Sequence, residues 1–356
     1  MITALEAYLL SCLRDEQSAR EFLDRLQDVY ESCDQEIYDR PMVAEAYAYT
    51  HLISRYCNWW DTFACLLAAG WFPMREAGLR ALDVGAGPGS ATYALLDFSR
   101  AVNLTIVDLG APDQFRALLT PRPEIAMVES SWAMSHFVHR LSEERGLGGP
   151  YGASLNDFFN LRLVRTREMN EETRRELISK IMDEYDSGWD GAKWILREDY
   201  PEWHEPDRYH LCMISHFLTL DKVLEDAAEA LQGVKKTLPP GGIIAVVGAA
   251  RTGGKYGPIY QELERQMSGL AHLEIPEPPV SVFDEESQEQ LNKLYRSIQG
   301  RLVELGVDPD AAMASWSSGI RDFVVQRWKP DNKPVIPRFR LEVFRAGHRP
   351  KKRRRA

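Results

Sequence analysis

Between Asp83 and Ser90 the chain reads Asp-Val-Gly-Ala-Gly-Pro-Gly-Ser, with Gly85, Gly87 and Gly89 at alternate positions. The preceding residues, Leu79 to Val84, form a short apolar strand that runs straight into the glycines, and Ala91 to Phe98 returns as helix. A strand that stops at Val84 and a helix that starts near Gly89 leave a gap that only small residues can line. Gly85 and Gly87 lack a Cβ, so the backbone can bend sharply and approach a ligand closely. The N–H groups at the helix start offer that ligand polar contacts. A dinucleotide fingerprint needs glycine at the sixth position, where this sequence has Ser90. The tighter G-x-G-P-G pattern favours a nucleoside carrying an amino acid over a pyrophosphate. Asp108 follows Gly85 by 23 residues and ends an expected second strand, Leu104-Thr-Ile-Val107. A carboxylate at that edge can accept hydrogen bonds from both hydroxyls of a ribose, a device that nicotinamide-binding proteins share.

Histidines supply the remaining candidate chemistry. His216 lies just past the apolar run Tyr209 to Ile214, at the strand edge where this kind of sheet places its reactions. Its near-neutral intrinsic pKa suits a general base, and packing beside the ligand is the competing role. His136 and His139 form H-x-x-H on one helical face, without an evident third metal ligand. Tyr151, Trp189, Trp203 and His204 are candidates for an aromatic pocket or for plain packing.

Strands and helices in alternation must position these residues. After the glycine turn come the expected strands Leu104–Val107, Trp194–Arg197, Tyr209–Ile214 and the nearly all-apolar Ile243–Val247. Ile125-Ala-Met-Val128, which ends at Glu129, competes with Trp194–Arg197 for the third place. Strands separated by helices imply parallel pairing with right-handed crossovers, hence an α/β doubly wound, mostly parallel sheet. Asp322–Trp328 and Arg338–Phe344 are expected to close it as an antiparallel hairpin.

Residues 1–76 read as a helical extension, with Tyr47, Tyr49, Tyr56, Trp59 and Trp60 clustered just before the glycines, placed to cover a pocket or to form a dimer face. The main domain then spans 77–346, with helical insertions at 110–191 and 250–320 that exceed an ordinary crossover, and 347–356 is a basic tail.

Composition narrows the functional classes. Apolar residues make up 44% of the 356, enough for a full core, and no apolar run reaches the ~20 residues that span a bilayer. No membrane role is expected, and the apolar start that soon meets charge reads as a helix, not a leader peptide. Five cysteines at positions 12, 33, 57, 65 and 212 form no CxxC pair and suit a reducing cytoplasm. The net charge is −10 although the last twelve residues hold seven Lys or Arg and no acid, so the body is more acidic still. An acidic body lacks the basic stripe that nucleic-acid binding uses.

The motifs together resemble class I S-adenosylmethionine-dependent methyltransferases. Leu82 to Leu96 is similar to that family's first motif, Leu104–Asp108 to its second, Tyr209–Leu218 to its fourth, and Leu238–Gly248 to the strand that follows the core. The resemblance implies a seven-stranded Rossmann-like sheet and S-adenosyl-L-methionine as cofactor. It implies contacts to that cofactor from Asp83, Gly85, Ala86, Gly87, Gly89, Asp108 and Ser215. It also implies an acid after the third strand that receives the adenine amine, for which Asp199 is the candidate and Glu129 the competitor. A narrower likeness, carried by Ala44 to Phe63 and the following glycines, is to the ribosomal small-subunit-associated methyltransferase-like family, whose cysteine cluster is missing here. The leading expectation is therefore methyl transfer to an O or N nucleophile of a small molecule, with a place in secondary metabolism, by a cytoplasmic homodimer. An RNA- or ribosome-associated methyltransferase and a non-catalytic cofactor-binding scaffold are the alternatives.

Overall fold

A computed structural model describes residues 1–31, 37–38, 40–73, 78–109, 123–146, 153–154, 164–166, 179, 204–206, 208–215, 224–225, 227–250, 256–275, 282–329, 332–334 and 336–347. Three helices open the chain: α1 (Ile2–Cys12), α2 (Glu16–Glu31) and α3 (Val43–Tyr47). One π-helical turn (Ala48–Leu52) joins α3 to α4 (Ile53–Ala68). In α1 the buried Ile2, Leu5 and Leu9 fall three and four apart, which puts them on one stripe. In α4 the stripe is aromatic: Trp59 packs on Phe63 with ring centroids 5.5 Å apart, and Phe63 and Trp60 pack on Phe98 at 5.7 and 5.5 Å.

The α/β layer begins with β1 (Arg80–Val84), α5 (Ser90–Asp108), β2 (Glu124–Val128) and α6 (Trp132–Glu144). It continues with β3 (Ala153–Ser154), a two-strand ribbon of β4 (Val164–Thr166) and β5 (His204–Pro206), and then β6 (Leu211–Ser215) and α7 (Ala228–Thr237). The last part holds β7 (Ile243–Ala249), α8 (Tyr256–Gln266), β8 (Ala271–Leu273), α9 (Glu285–Glu304), α10 (Pro309–Ala312), α11 (Ser318–Trp328) and β9 (Phe339–Arg345). The main sheet runs β3-β2-β1-β6-β7-β9-β8. Its first five strands are parallel, and β9 is antiparallel to both β7 and β8. The end segments β3 and β8 are two and three residues long, so five longer strands carry this mixed sheet and its flanking helices.

Both faces of the central strands are covered, and the side chains alternate accordingly. Ala81, Leu211, Met213, Ala245 and Val343 join the core made with α1 to α6 and α9. Leu82, Val84, Cys212, Ile214, Ile244 and Phe344 face the other way, onto Leu231 and Val234 of α7 and Ile259 and Leu263 of α8. The apolar stripe of the N-terminal helices is thus used inside the chain's own core. Cys12, Cys57, Cys65 and Cys212 are free thiols. Among the described residues no helix is long and apolar enough to cross a membrane.

Two expected strands are helices. Leu104–Val107 continues α5, because Val102 and the buried Ile106 fall four apart and extend the face of Phe98 and Ser99; packing of that face overrides the β-branched composition. Asp322–Trp328 belongs to α11, where Val324 and Trp328, again four apart, are the buried pair. The closing antiparallel partners of β9 are therefore β7 and β8. Ile125–Val128 is β2, hydrogen-bonded beside β1. The expected strand Trp194–Arg197 and the basic end 348–356 lie outside the described residues.

Candidate functional site

The candidate site is built where β1 ends. Val84 gives way to Gly85, Gly87 and Gly89, with φ of +63°, +53° and +82°. L-residues adopt that left-handed backbone at a cost of about 1–2 kcal/mol each, so the bend needs glycine. Val128 on β2 holds the turn by accepting from the N–H groups of Gly85 (2.9 Å) and Ala86 (3.1 Å). Gly87 N–H donates to Glu129 Oε2 at 2.7 Å, while Ser131 N–H donates to Glu129 Oε1 at 2.9 Å. One carboxylate therefore clasps the glycine turn and the turn that starts α6.

Two of the glycines serve different needs. A Cβ built on Gly87 would meet only Tyr47 Cε1, 3.9 Å away, so the turn is open at that point. A Cβ on Gly89 would press on Tyr93 Cε2 at 3.1 Å and Val138 Cγ2 at 3.2 Å. Gly89 thus allows the start of α5 to pack against α6, and Gly87 faces the accessible side of the turn.

Asp83 sits behind the turn, fully buried on β1. Its Oδ2 accepts from Thr92 N–H at 3.1 Å and from Thr92 Oγ1 at 2.7 Å, which ties β1 to the first turn of α5. Burial pushes its carboxyl up to about 7 against the pull of the Thr92 donors, and the charge of Glu129 pushes the same way. Three buried oxygens around the turn have no hydrogen-bond partner among the described residues: Asp83 Oδ1, Ser90 Oγ and Ser215 Oγ. They come from the end of β1, the start of α5 and the end of β6, the strand whose Ile214 pairs with Val84. An unsatisfied buried polar group costs about 1–3 kcal/mol, so three of them close together call for a partner.

The N-terminal helices reach over this edge. Tyr47 packs against Tyr38 and His51, with ring centroids 5.8 and 4.9 Å away. Arg55 lies over the Tyr47 ring, 4.9 Å from its centroid, and donates from Nη1 to Tyr47 Oη. Ser131, which caps α6, donates from Oγ to the Tyr38 carbonyl at 2.8 Å. The aromatic cluster before the glycines is therefore tied to the turn that carries Glu129.

Of the residues singled out from sequence, the structure brings together Asp83, Gly85, Ala86, Gly87, Gly89 and Ser215. Asp108 is not among them. It ends α5, exposed, and 18 helical steps of 1.5 Å put it about 27 Å along the helix from Ser90. Glu129 holds the place expected of Asp108, at the end of the strand beside β1. Asp199 and His216 lie outside the described residues, as do Tyr151, Trp189 and Trp203. His136 stacks on Trp132 with centroids 5.0 Å apart, and His139 pairs with Glu143 at 3.6 Å on the surface of α6. Sequence reasoning missed Arg55 and Ser131. An N-cap serine two residues after a strand-ending acid was the available signal for the second; none existed for the first.

No protein-family model matches the chain, and no curated protein matches it. Among solved structures, the 4+2 cyclase SpnF is similar at 14% identity, over 81% of this chain and 80% of its own, with a TM-score of 0.38. The plantazolicin methyltransferase BpumL, solved with SAH, is 10% identical over 93% of this chain and 97% of its own, with a TM-score of 0.37. The magnesium protoporphyrin IX methyltransferase of Synechocystis PCC 6803, solved with bound SAM, is 12% identical over 73% and 88%, with a TM-score of 0.35. Likenesses this loose carry no weight for the chemistry of this chain.

Proposed function

We propose that this chain is an S-adenosylmethionine-dependent methyltransferase that acts on an oxygen or nitrogen nucleophile of a small molecule. The observation that carries the reading is the open glycine turn at the carboxyl end of β1, clasped by Glu129 and backed by buried oxygens without a partner among the described residues. These residues fit the cofactor. Glu129 places a carboxylate at the end of β2, against the N–H of Gly87, and a carboxylate there is the group that accepts from the hydroxyls of a ribose. Gly87 leaves room for close approach, and Ser90 and Ser215 offer hydroxyls.

When bound, S-adenosylmethionine supplies an electrophilic methyl group on a sulfonium. The chain's own part is to hold that group in line with the acceptor and to take the acceptor's proton where it has one. We assign the proton to His216, the next residue in the chain after Ser215. Tyr47, backed by Tyr38, covers the open side of the turn and excludes water there. The acidic body supports a small-molecule acceptor over RNA, and the free thiols support a cytoplasmic setting.

Calorimetry with S-adenosylmethionine and S-adenosylhomocysteine tests the reading. The wild-type chain binds both, and Gly87→Val stays folded and binds neither, because the branched side chain fills the open side of the turn. A folded wild-type protein that binds neither compound refutes the proposal. Retained affinity in Gly87→Val shows that the site lies elsewhere.

A further inference from the structure

Arg55 is joined to the candidate site through Tyr47, the residue that borders Gly87. Arg55, half-buried at the start of α4, has no carboxylate partner among the described residues; its contacts are the hydroxyl and ring of Tyr47. A guanidinium has five N–H donors in a planar fork, and one of them is used here. The rest of that fork is available to an anion that arrives with a ligand.

The location says which anion. Tyr47 Cε1 is the atom that borders the open side of Gly87, and the hydroxyl that accepts from Arg55 is carried by the neighbouring ring carbon. The free donors of Arg55 are therefore one hydrogen bond beyond the wall of the glycine turn. Glu129 holds the N–H of Gly87 from the end of β2 and would repel an anion laid against it. A ligand that lays a sugar against Glu129 and carries a carboxylate arm would place that arm toward Arg55. From this geometry we infer that Arg55, oriented by Tyr47, binds the carboxylate of the amino-acid arm of the methyl donor. The pairing is charge-assisted and bidentate in form, which arginine provides and lysine does not. The inference rests on the methyl-donor reading above.

Two probes that differ in that arm test it. S-adenosylhomocysteine carries the carboxylate; 5′-methylthioadenosine has the same nucleoside and sulfur without it. Arg55→Gln is expected to bind S-adenosylhomocysteine about 10- to 100-fold more weakly than wild type, with methylthioadenosine affinity unchanged within about twofold. Arg55→Lys recovers part of the loss. Tyr47→Phe keeps the charge but frees the guanidinium, and it weakens S-adenosylhomocysteine binding alone by a smaller factor. Unchanged binding of S-adenosylhomocysteine by Arg55→Gln overturns the inference, and so does an equal loss for both probes. A raised KM for the acceptor with unchanged S-adenosylhomocysteine binding assigns Arg55 to an acceptor carboxylate and overturns it as well. Should Arg55→Gln fail to fold, by circular dichroism, the Tyr47→Phe comparison decides in the same terms. A wild-type chain that binds methylthioadenosine and S-adenosylhomocysteine equally refutes this inference alone, whereas one that binds neither refutes the methyl-donor reading with it.

Discussion

Replacing Asp83 by Asn tests the electrostatics under the glycine turn. The side chain is fully buried, and its carboxyl is pushed from the ordinary value of 3.8 up to about 7, chiefly by burial. The folded state then holds a proton that the unfolded chain has released at every pH between about 4 and about 7. Stability is lost as pH rises whenever the folded state binds more protons, so this group destabilises the fold progressively across that window. Each pH unit corresponds to about 1.4 kcal/mol, so the full loss is on the order of 4 kcal/mol above pH 7. Asn keeps an acceptor for Thr92 and cannot ionise. The expected outcome is that Asp83→Asn gains stability relative to wild type as pH rises from 5 to 8, by several kcal/mol, and levels off beyond. Urea unfolding at half-unit pH steps measures it, since the difference between the two proteins cancels every other titrating group. A stability difference that does not change with pH would mean that Asp83 is ionised in the fold, and the reasoning would fail.

Two further outcomes follow from the site and its frame. Glu129→Ala is expected to weaken S-adenosylmethionine binding by 1–3 kcal/mol or more, the scale of lost charged hydrogen bonds, and Asp108→Ala to leave it unchanged; calorimetry on the pair reads both, and the reverse result would restore Asp108 to the site. Gly248→Ala on β7 is expected to destabilise the fold by about 1–3 kcal/mol, because the added Cβ would overlap Tyr260 Oη, and Tyr260→Phe in the same chain should recover part of that loss in thermal unfolding.

The parts of this molecule that were legible in sequence are those whose signal is local. An apolar run meeting G-x-G-P-G can only be a strand, a tight turn and a helix start, and β1, the turn and α5 form accordingly. Tyr209–Ile214 and Ile243–Val247 read as strands because they are apolar on both faces, and β6 and β7 are buried on both faces. Leu104–Asp108 was not legible. Its residues suit a strand by composition and a helix by spacing, and only the burial of Ile106 and of part of Val102 on one helical face decides between them. That choice moved the acid at the strand edge from Asp108 to Glu129, which a fixed distance from the glycines could not find. Asp322–Trp328 failed in the same way, since Phe, Val and Trp satisfy both patterns. Arg55 was invisible for a different reason: its contact with Tyr47, beside the glycine turn, belongs to a neighbourhood in space, and a sequence shows no neighbourhoods.

The single apolar cluster that joins Leu5, Trp59, Phe98 and Val343 also bears on how fast a ligand is exchanged. A helical layer that shares its core with the sheet cannot swing as a hinged flap without exposing that core. Movement of side chains at the rim, Tyr38, Tyr47 and Arg55 among them, admits a ligand without that exposure. Rotamer changes of that kind occur in picoseconds to nanoseconds, and domain hinges in microseconds to milliseconds. Association is then set by diffusion and docking, and residence time by the contacts at the rim.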